Sequence, residues 1–198
     1  MTLEQFRPLA GRLLRPLARP CIRLGLTPNG LSVMAFFASV AAGLAFFAGQ
    51  VPAATGLVAV NALFDALDGT IAREMQLAST RGDFLDHVLD RYSDIFIITG
   101  IFAGGAAPWI IGVFGLTGVL MSSYLGTQAQ AVGIGRYYGG TLGRADRLLL
   151  VVLAGILTLL VPAGFSGISF LGWLLLVFGI FGHATAIQRF FYVWGKIR

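Results

Sequence analysis

Long apolar runs alternate with short polar breaks over most of this chain. Six runs approach the length of a bilayer crossing, at about 31–48, 52–73, 83–104, 107–132, 146–161 and 167–188. A helix of about 20 apolar residues covers the hydrocarbon core of a membrane. Pro162 ends the fifth run. Gly112, Gly115 and Gly118 recur at three-residue steps in the fourth, which predicts close contact with another helix. Residues 1–25 differ. Arg7, Arg12, Arg15, Arg19 and Arg23 are set among Phe6, Leu9, Leu13, Leu14, Leu17, Ile22 and Leu24, and four of the arginines share a helical face. That pattern predicts an amphipathic helix in the headgroup region, broken at Pro8, Pro16 and Pro20, or else a basic flank that only sets topology. T-P-N-G-L-S at 27–32 suits a turn and a helix start. The expectation is an all-α integral membrane protein. It has one domain over 1–198, six transmembrane helices and an N-terminal juxtamembrane helix.

Composition supports this. Of 198 residues, 57% are hydrophobic and 12% charged, with a mean hydropathy of +0.82. Soluble domains carry about 25% charged residues. Cys21 is the single cysteine, which excludes an internal disulfide and suits an interfacial packing residue. No cleavable signal peptide is expected, because the first apolar run follows about thirty polar and basic positions. The net charge of +5 is read as topology and not as nucleic-acid binding. Turns near 49–51, 104–107 and 162–166 hold no Lys or Arg, whereas the N-terminus, the 74–82 turn, the 133–147 loop and the C-terminus hold nearly all of them. Basic residues collect on the cytoplasmic side, so both termini are expected there, in a cell membrane.

The polar exceptions within the apolar runs carry the chemistry. Asp65 and Asp68 are three apart, and Asp86 and Asp90 four apart, the spacings that stack side chains on one helical face. If one helix ends near 73 and the next begins near 82, the two pairs face each other across a short turn. An unpaired acid deep in a bilayer costs about 2.5–3.5 kcal/mol, so four together imply bound cations, proton movement or a polar cavity. The alternative is a solvated loop end with salt bridges to Arg73 and Arg81. Carboxylates without Cys ligands suit Mg²⁺ or Mn²⁺, and four balance two divalent ions. Two such ions clamp the attacking and leaving oxygens in phosphoryl chemistry. Gly69 lets a ligand approach the backbone, and Arg73 lies one turn further on to neutralise a phosphate. The loop G-I-G-R-Y-Y-G-G-T-L-G-R-A-D-R lacks the G-K-[ST] of a P-loop. Its Arg136, Arg144 and Arg147 suit a phosphate, or else serve topology, with Arg147 paired to Asp146 at the surface. Gln128 and Gln130 are placed to reach the same pocket.

The spacing D65-x2-D68-G69-x2-A72-R73-x8-G82-x3-D86-x3-D90 resembles the signature of the CDP-alcohol phosphotransferase family, with all eight positions present. The resemblance extends over the whole chain. It implies transfer of a phosphatidyl-type group from a CDP-linked lipid to an alcohol, with release of CMP. It implies that Asp65, Asp68 and Asp86 hold one metal, that Asp65, Asp86 and Asp90 hold the second, and that Asp90 is the general base. Gly69, Arg73 and Ser79 would hold the CDP part, with Pro28, Asn29, Gly30 and Leu31. Asp83 and Asp94 lie outside the signature, and Asp94 is expected to bond to a neighbouring ligand or hydroxyl, not to metal. His87 is expected to be a bystander and His183 a packing residue. Members are commonly homodimers, which implies one here.

Within the family, S-Y-L-G-T-Q-A-Q-A-V-G followed by G-R-A-D-R resembles the branch that uses inositol phosphate, closest to archaetidylinositol phosphate synthases. That implies a CDP-archaeol donor and a role for Arg136, Arg144 and Arg147 on the acceptor's phosphate. Glycerol phosphate as acceptor and CDP-diacylglycerol as donor stay open. Two remoter readings are an intramembrane prenyltransferase, suggested by N61-A-L-F-D65, and a cation or proton carrier. Carriers, however, place their sites near the midplane between related halves.

Overall fold

The structure is a computed structural model of the chain. It describes residues 7–137 and 139–197, with the side chains of 7–13 also outside the description. The side chains of Arg7, Pro8 and Arg12 therefore lie outside the description, and Phe6 lies outside the described residues. Among the described residues the fold is all-helical: α1 (Arg7–Arg23), α2 (Pro28–Phe47), α3 (Val51–Glu74), α4 (Thr80–Ala103), α5 (Trp109–Ala131), α6 (Arg144–Leu160) and α7 (Phe170–Trp194). Four helices, α2, α3, α5 and α7, are long and apolar enough to cross a membrane. α4 matches them in length but carries Arg81, Asp83, Asp86, Asp90, Arg91 and Asp94, and α6 has 17 residues.

Local chemistry sets the helix starts. Thr27 caps α2, its hydroxyl accepting from the Gly30 N–H at 3.1 Å, with Pro28 in the first turn. Ser79 caps α4 in the same way through Gly82, also at 3.1 Å. The expected breaks at Pro16 and Pro20 do not occur, because α1 runs through both. They are four apart and exposed, so the missing hydrogen bonds lie on the outer face of the helix. The opposite face, with Leu14, Ala18, Cys21 and Ile22, packs on Leu31, Leu67 and Ile71 of α2 and α3. Arg15, on the exposed side, reaches Glu74 at 3.1 Å.

α2 packs along both α3 and α4, α5 along α7, and α6 along α3 and α7, whereas α3 and α4 scarcely touch. Glycine permits the closest approaches. A Cβ on Gly100 would overlap the Gly43 carbonyl, and one on Gly115 would stand 2.7 Å from the Leu175 carbonyl oxygen. The main core lies between the helices, around Val58, Ile97, Ile101, Leu175 and Phe178. The outer surface is apolar too, with Phe37, Leu44, Ile110, Leu160 and Phe191 exposed, an arrangement suited to lipid and not to water.

One end of the bundle collects the end of α3 and the starts of α2, α4 and α6. At the other end the Ser169 hydroxyl donates to the Ala106 carbonyl at 3.0 Å and joins two turns that hold no Lys or Arg.

Candidate active site

The site occupies the gap between α3 and α4. Because those helices stand apart, four carboxylates enter the space from two walls. Asp65 and Asp68 come from α3, and Asp86 and Asp90 from α4. One oxygen each from Asp65, Asp68 and Asp86 lies within 4.8 Å of the other two. Six oxygens around a metal at about 2.1 Å stand about 3–4.2 Å apart, so this trio fits one Mg²⁺ or Mn²⁺ with small adjustment. Asp68 is the most buried of the three and accepts from the Ser32 hydroxyl of α2 at 2.7 Å. That bond fixes the carboxylate's orientation, the usual task of an outer-shell partner.

Asp90 is engaged differently. Nη1 of Arg144, at the start of α6, donates to Asp65 Oδ1 and lies 2.8 Å from Asp90 Oδ1. One guanidinium nitrogen thus bridges α3 and α4. Asp94, one turn beyond Asp90, accepts from Arg147 Nη2 at 2.9 Å and faces Arg91 at 3.5 Å. The expected partner for Asp94 was a ligand or hydroxyl, and the observed one is a buried arginine. Arg147 pairs with Asp94 and not with Asp146, whose carboxylate accepts from the Gly143 N–H at 2.9 Å at the start of α6. Arg136 forms a two-pronged pair with Asp83, at 3.2 and 3.0 Å. The three loop arginines therefore reach the same end of the bundle, each on a different carboxylate group.

The residues expected at the nucleotide frame this gap. Asn29 lies beside the start of α4, since a Cβ on Gly82 would stand 3.1 Å from its Oδ1 and 3.3 Å from Ser79 Oγ. Arg73 folds back over Gly69, where a Cβ would stand 3.3 Å from its Nη1, and its Nη2 donates to Thr70 Oγ1 at 3.4 Å. Pro28, Gly30 and Leu31 form the first turn of α2, with Leu31 fully buried against α3. Gln128 is half-buried and Gln130 exposed. His87 Nδ1 sits 2.9 Å from the Asp83 carbonyl oxygen, off the carboxylate trio. His183 stacks on Phe114 and meets the Thr117 hydroxyl at 3.3 Å between α5 and α7, as a packing residue.

Sequence reading missed Ser32 and Arg189. Ser32 follows Leu31 directly, and a hydroxyl one turn into an apolar helix was the available signal. Arg189 of α7 donates to the Gly139 carbonyl at 2.7 Å and to the Ser122 carbonyl, which moors the loop before α6. Nothing in the sequence separates it from a basic C-terminal flank.

A family profile described as CDP-alcohol phosphatidyltransferase matches residues 25–184. The chain belongs to this family. Among relatives of this family member is the archaetidylinositol phosphate synthase of Methanothermobacter thermautotrophicus, 32% identical over 196 residues, covering 99% of this chain and 96% of the relative. Another is the phosphatidylinositol phosphate synthase of Mycobacterium marinum, 33% identical over 201 residues, covering 95% and 82%. A crystal structure of the Mycobacterium tuberculosis phosphatidylinositol phosphate synthase with CDP-DAG bound superposes with a TM-score of 0.77 at 30% identity, covering 92% of this chain and 94% of that one. The same enzyme in complex with manganese and citrate gives 0.76 at 30% identity, covering 90% and 88%. The aspartate signature of this CDP-alcohol phosphatidyltransferase family member thus lies on the helices that line the interhelical gap.

Proposed function

We propose that this chain transfers a phosphatidyl-type group, archaetidyl in the first instance, from a CDP-linked lipid to a hydroxyl of inositol phosphate. The observation that carries this is the convergence of Asp65, Asp68 and Asp86 on one ion-sized volume, with arginines of the 133–147 loop at its edge. The first relative named above, an archaetidylinositol phosphate synthase matched over nearly the full length of both chains, supports the acceptor and the archaeol lipid. The mycobacterial structure with CDP-DAG bound supports a CDP-linked lipid as donor and keeps CDP-diacylglycerol open beside CDP-archaeol.

Asp65, Asp68 and Asp86 would hold one Mg²⁺ or Mn²⁺, and Asp65, Asp86 and Asp90 the second, as the family likeness implies. Ions held there would neutralise charge on the diphosphate and so ease the departure of CMP. The residues of the chain do the rest. Asn29, Gly30, Gly69, Arg73 and Ser79 seat the CDP part, with Pro28 and Leu31 fixing the turn that carries Asn29. Arg136 and Arg144 meet the acceptor's phosphate, and Arg147, enclosed with Asp94, supports them from behind. The acceptor oxygen bonds to the lipid-side phosphorus, the bond from that phosphorus to the bridging oxygen breaks, and CMP leaves. Asp90 takes the proton from the attacking hydroxyl.

α4 and α6 complete six spans, with Asp90, Asp94, Arg144 and Arg147 turned into the bundle and away from lipid. α1 lies in the headgroup region with Arg15, Arg19 and Arg23 outward. The site and both termini face the cytoplasm. The working unit is a homodimer, as the family likeness implies.

The test is an assay of the purified protein with CDP-archaeol or CDP-diacylglycerol against inositol phosphate, glycerol phosphate, serine and free inositol. CMP release is expected with inositol phosphate above the others, lost with chelator and restored by Mg²⁺ or Mn²⁺. Preference for glycerol phosphate would reassign the acceptor, and full turnover in metal-free buffer would overturn the metal site.

A further inference from the structure

Arg144 is the one arginine of the loop that touches two of the proposed metal ligands. Its Nη1 donates to Asp65 Oδ1 from one side of the gap and stands 2.8 Å from Asp90 Oδ1 on the other. Asp65 and Asp90 belong to the trio proposed for the second ion. A guanidinium and a divalent cation drawn to the same two carboxylates repel each other at a separation of a few ångströms, so each weakens the other's hold. The side chain also has unused capacity. Its Nε is buried and has no hydrogen-bond partner among the described residues, a costly condition for a donor unless another acceptor arrives. Arg144 is the first residue of α6, so its side chain is free of the preceding helical turn, and Gly143 before it adds no side chain. The backbone there is held, since the Gly143 N–H donates to Asp146. Any displacement is therefore a rotation of the Arg144 side chain and not a shift of α6.

We propose that Arg144 and the second divalent ion compete for Asp65 and Asp90, so that seating that ion turns the guanidinium toward the acceptor's phosphate. This rests on the function proposed above. Arg144 is then an exchanging cation: it balances the two carboxylates until the ion takes its place, and only then presents its full fork to a phosphate. Binding linkage is reciprocal, so inositol phosphate must tighten the second ion by the same factor as the ion tightens inositol phosphate. Arg147 and Arg136 do not share this role, because their partners Asp94 and Asp83 lie outside both proposed ion sites.

The experiment is a Mn²⁺ titration of the full chain in detergent, followed by electron paramagnetic resonance of free and bound ion. It is run with and without inositol phosphate, on wild type and on Arg144→Gln and Arg144→Lys. Wild type is expected to show a tighter and a weaker class, the weaker one strengthened about fivefold or more by inositol phosphate. In Arg144→Gln the weaker class should tighten on the order of tenfold without inositol phosphate and no longer respond to it. Arg144→Lys, which keeps a displaceable charge, should fall between. The wild-type arm stands even if Arg144→Gln fails to fold: no strengthening by inositol phosphate there overturns the exchange. Equal weaker-class affinity in wild type and Arg144→Gln overturns it too and leaves the transferase reading intact. A single Mn²⁺ class in wild type has a different signature, and brings down the two-ion reading together with the exchange.

Discussion

At the scale of single residues, Asp90 is where geometry and chemistry meet most sharply. It stands opposite Asp65 in the gap, is held by Arg144, and lies outside the trio that already fits an ion. Asp90→Asn removes the proposed base and one proposed ligand of the second ion while the Asp65, Asp68 and Asp86 trio stays. Turnover should fall by at least about a hundredfold, the lower range for a general base. Binding of the CDP-lipid, measured by equilibrium titration, should change little. Retained turnover would remove Asp90 as the base. The signature aspartates were legible because helical spacing alone puts them in pairs on one face. Their partners were not. Ser32 and Asp68 are 36 positions apart, and Arg147 and Asp94 are 53 apart, so no local pattern links them. Which arginine meets which aspartate depends on how α6 leans on the bundle, and that is decided by packing.

At the scale of elements, the buried pair of Asp94 and Arg147 pins α4 to α6. Both side chains are more than nine-tenths buried, and Arg147 backs onto the small cavity edged by Ser122, Phe178 and Thr185. Breaking such a pair by truncating one member costs about 3–5 kcal/mol, because the other charge is left without compensation. Arg147→Ala should therefore lower the melting temperature in detergent sharply. The double variant Arg147→Gln, Asp94→Asn should recover much of the loss, since neither charge is stranded. A double variant as unstable as Arg147→Ala would show that the pair's packing matters and its charge does not. Helix positions themselves were legible, since an apolar run bounded by turn residues leaves little choice. The run near 31–48 became Pro28–Phe47, started by the Thr27 cap. The run ending near 188 extends to Trp194, because nothing before Gly195 stops a helix. The prolines of α1 misled for a physical reason: on an exposed face a missing hydrogen bond is tolerable, and the apolar face that packs on α3 holds the helix together.

At the scale of the whole molecule, charge is segregated. Every Lys, Arg, Asp and Glu among the described residues belongs to the end and flanks that carry the site, while the turns at 48–50, 104–108 and 161–169 hold none. Sequence showed this as alternating basic and uncharged loops, and the fold gathers the same loops at opposite ends. In the orientation proposed above, a bundle so divided has its basic end inward. The same asymmetry serves the proposed reaction, since CDP and inositol phosphate are polar and need an aqueous mouth, while the lipid tails stay beside the apolar faces of α2, α3 and α4. Single cysteines placed in a Cys21→Ser background test the orientation. Gln50→Cys lies at the uncharged end and Ala78→Cys at the charged end, both exposed. In intact cells a membrane-impermeant maleimide should label Gln50→Cys and spare Ala78→Cys, which should react only after the membrane is opened. The reverse pattern would put the carboxylates on the outer face, away from any cytoplasmic supply of nucleotide-linked lipid, and the transferase reading would have to be rebuilt around a donor delivered from outside.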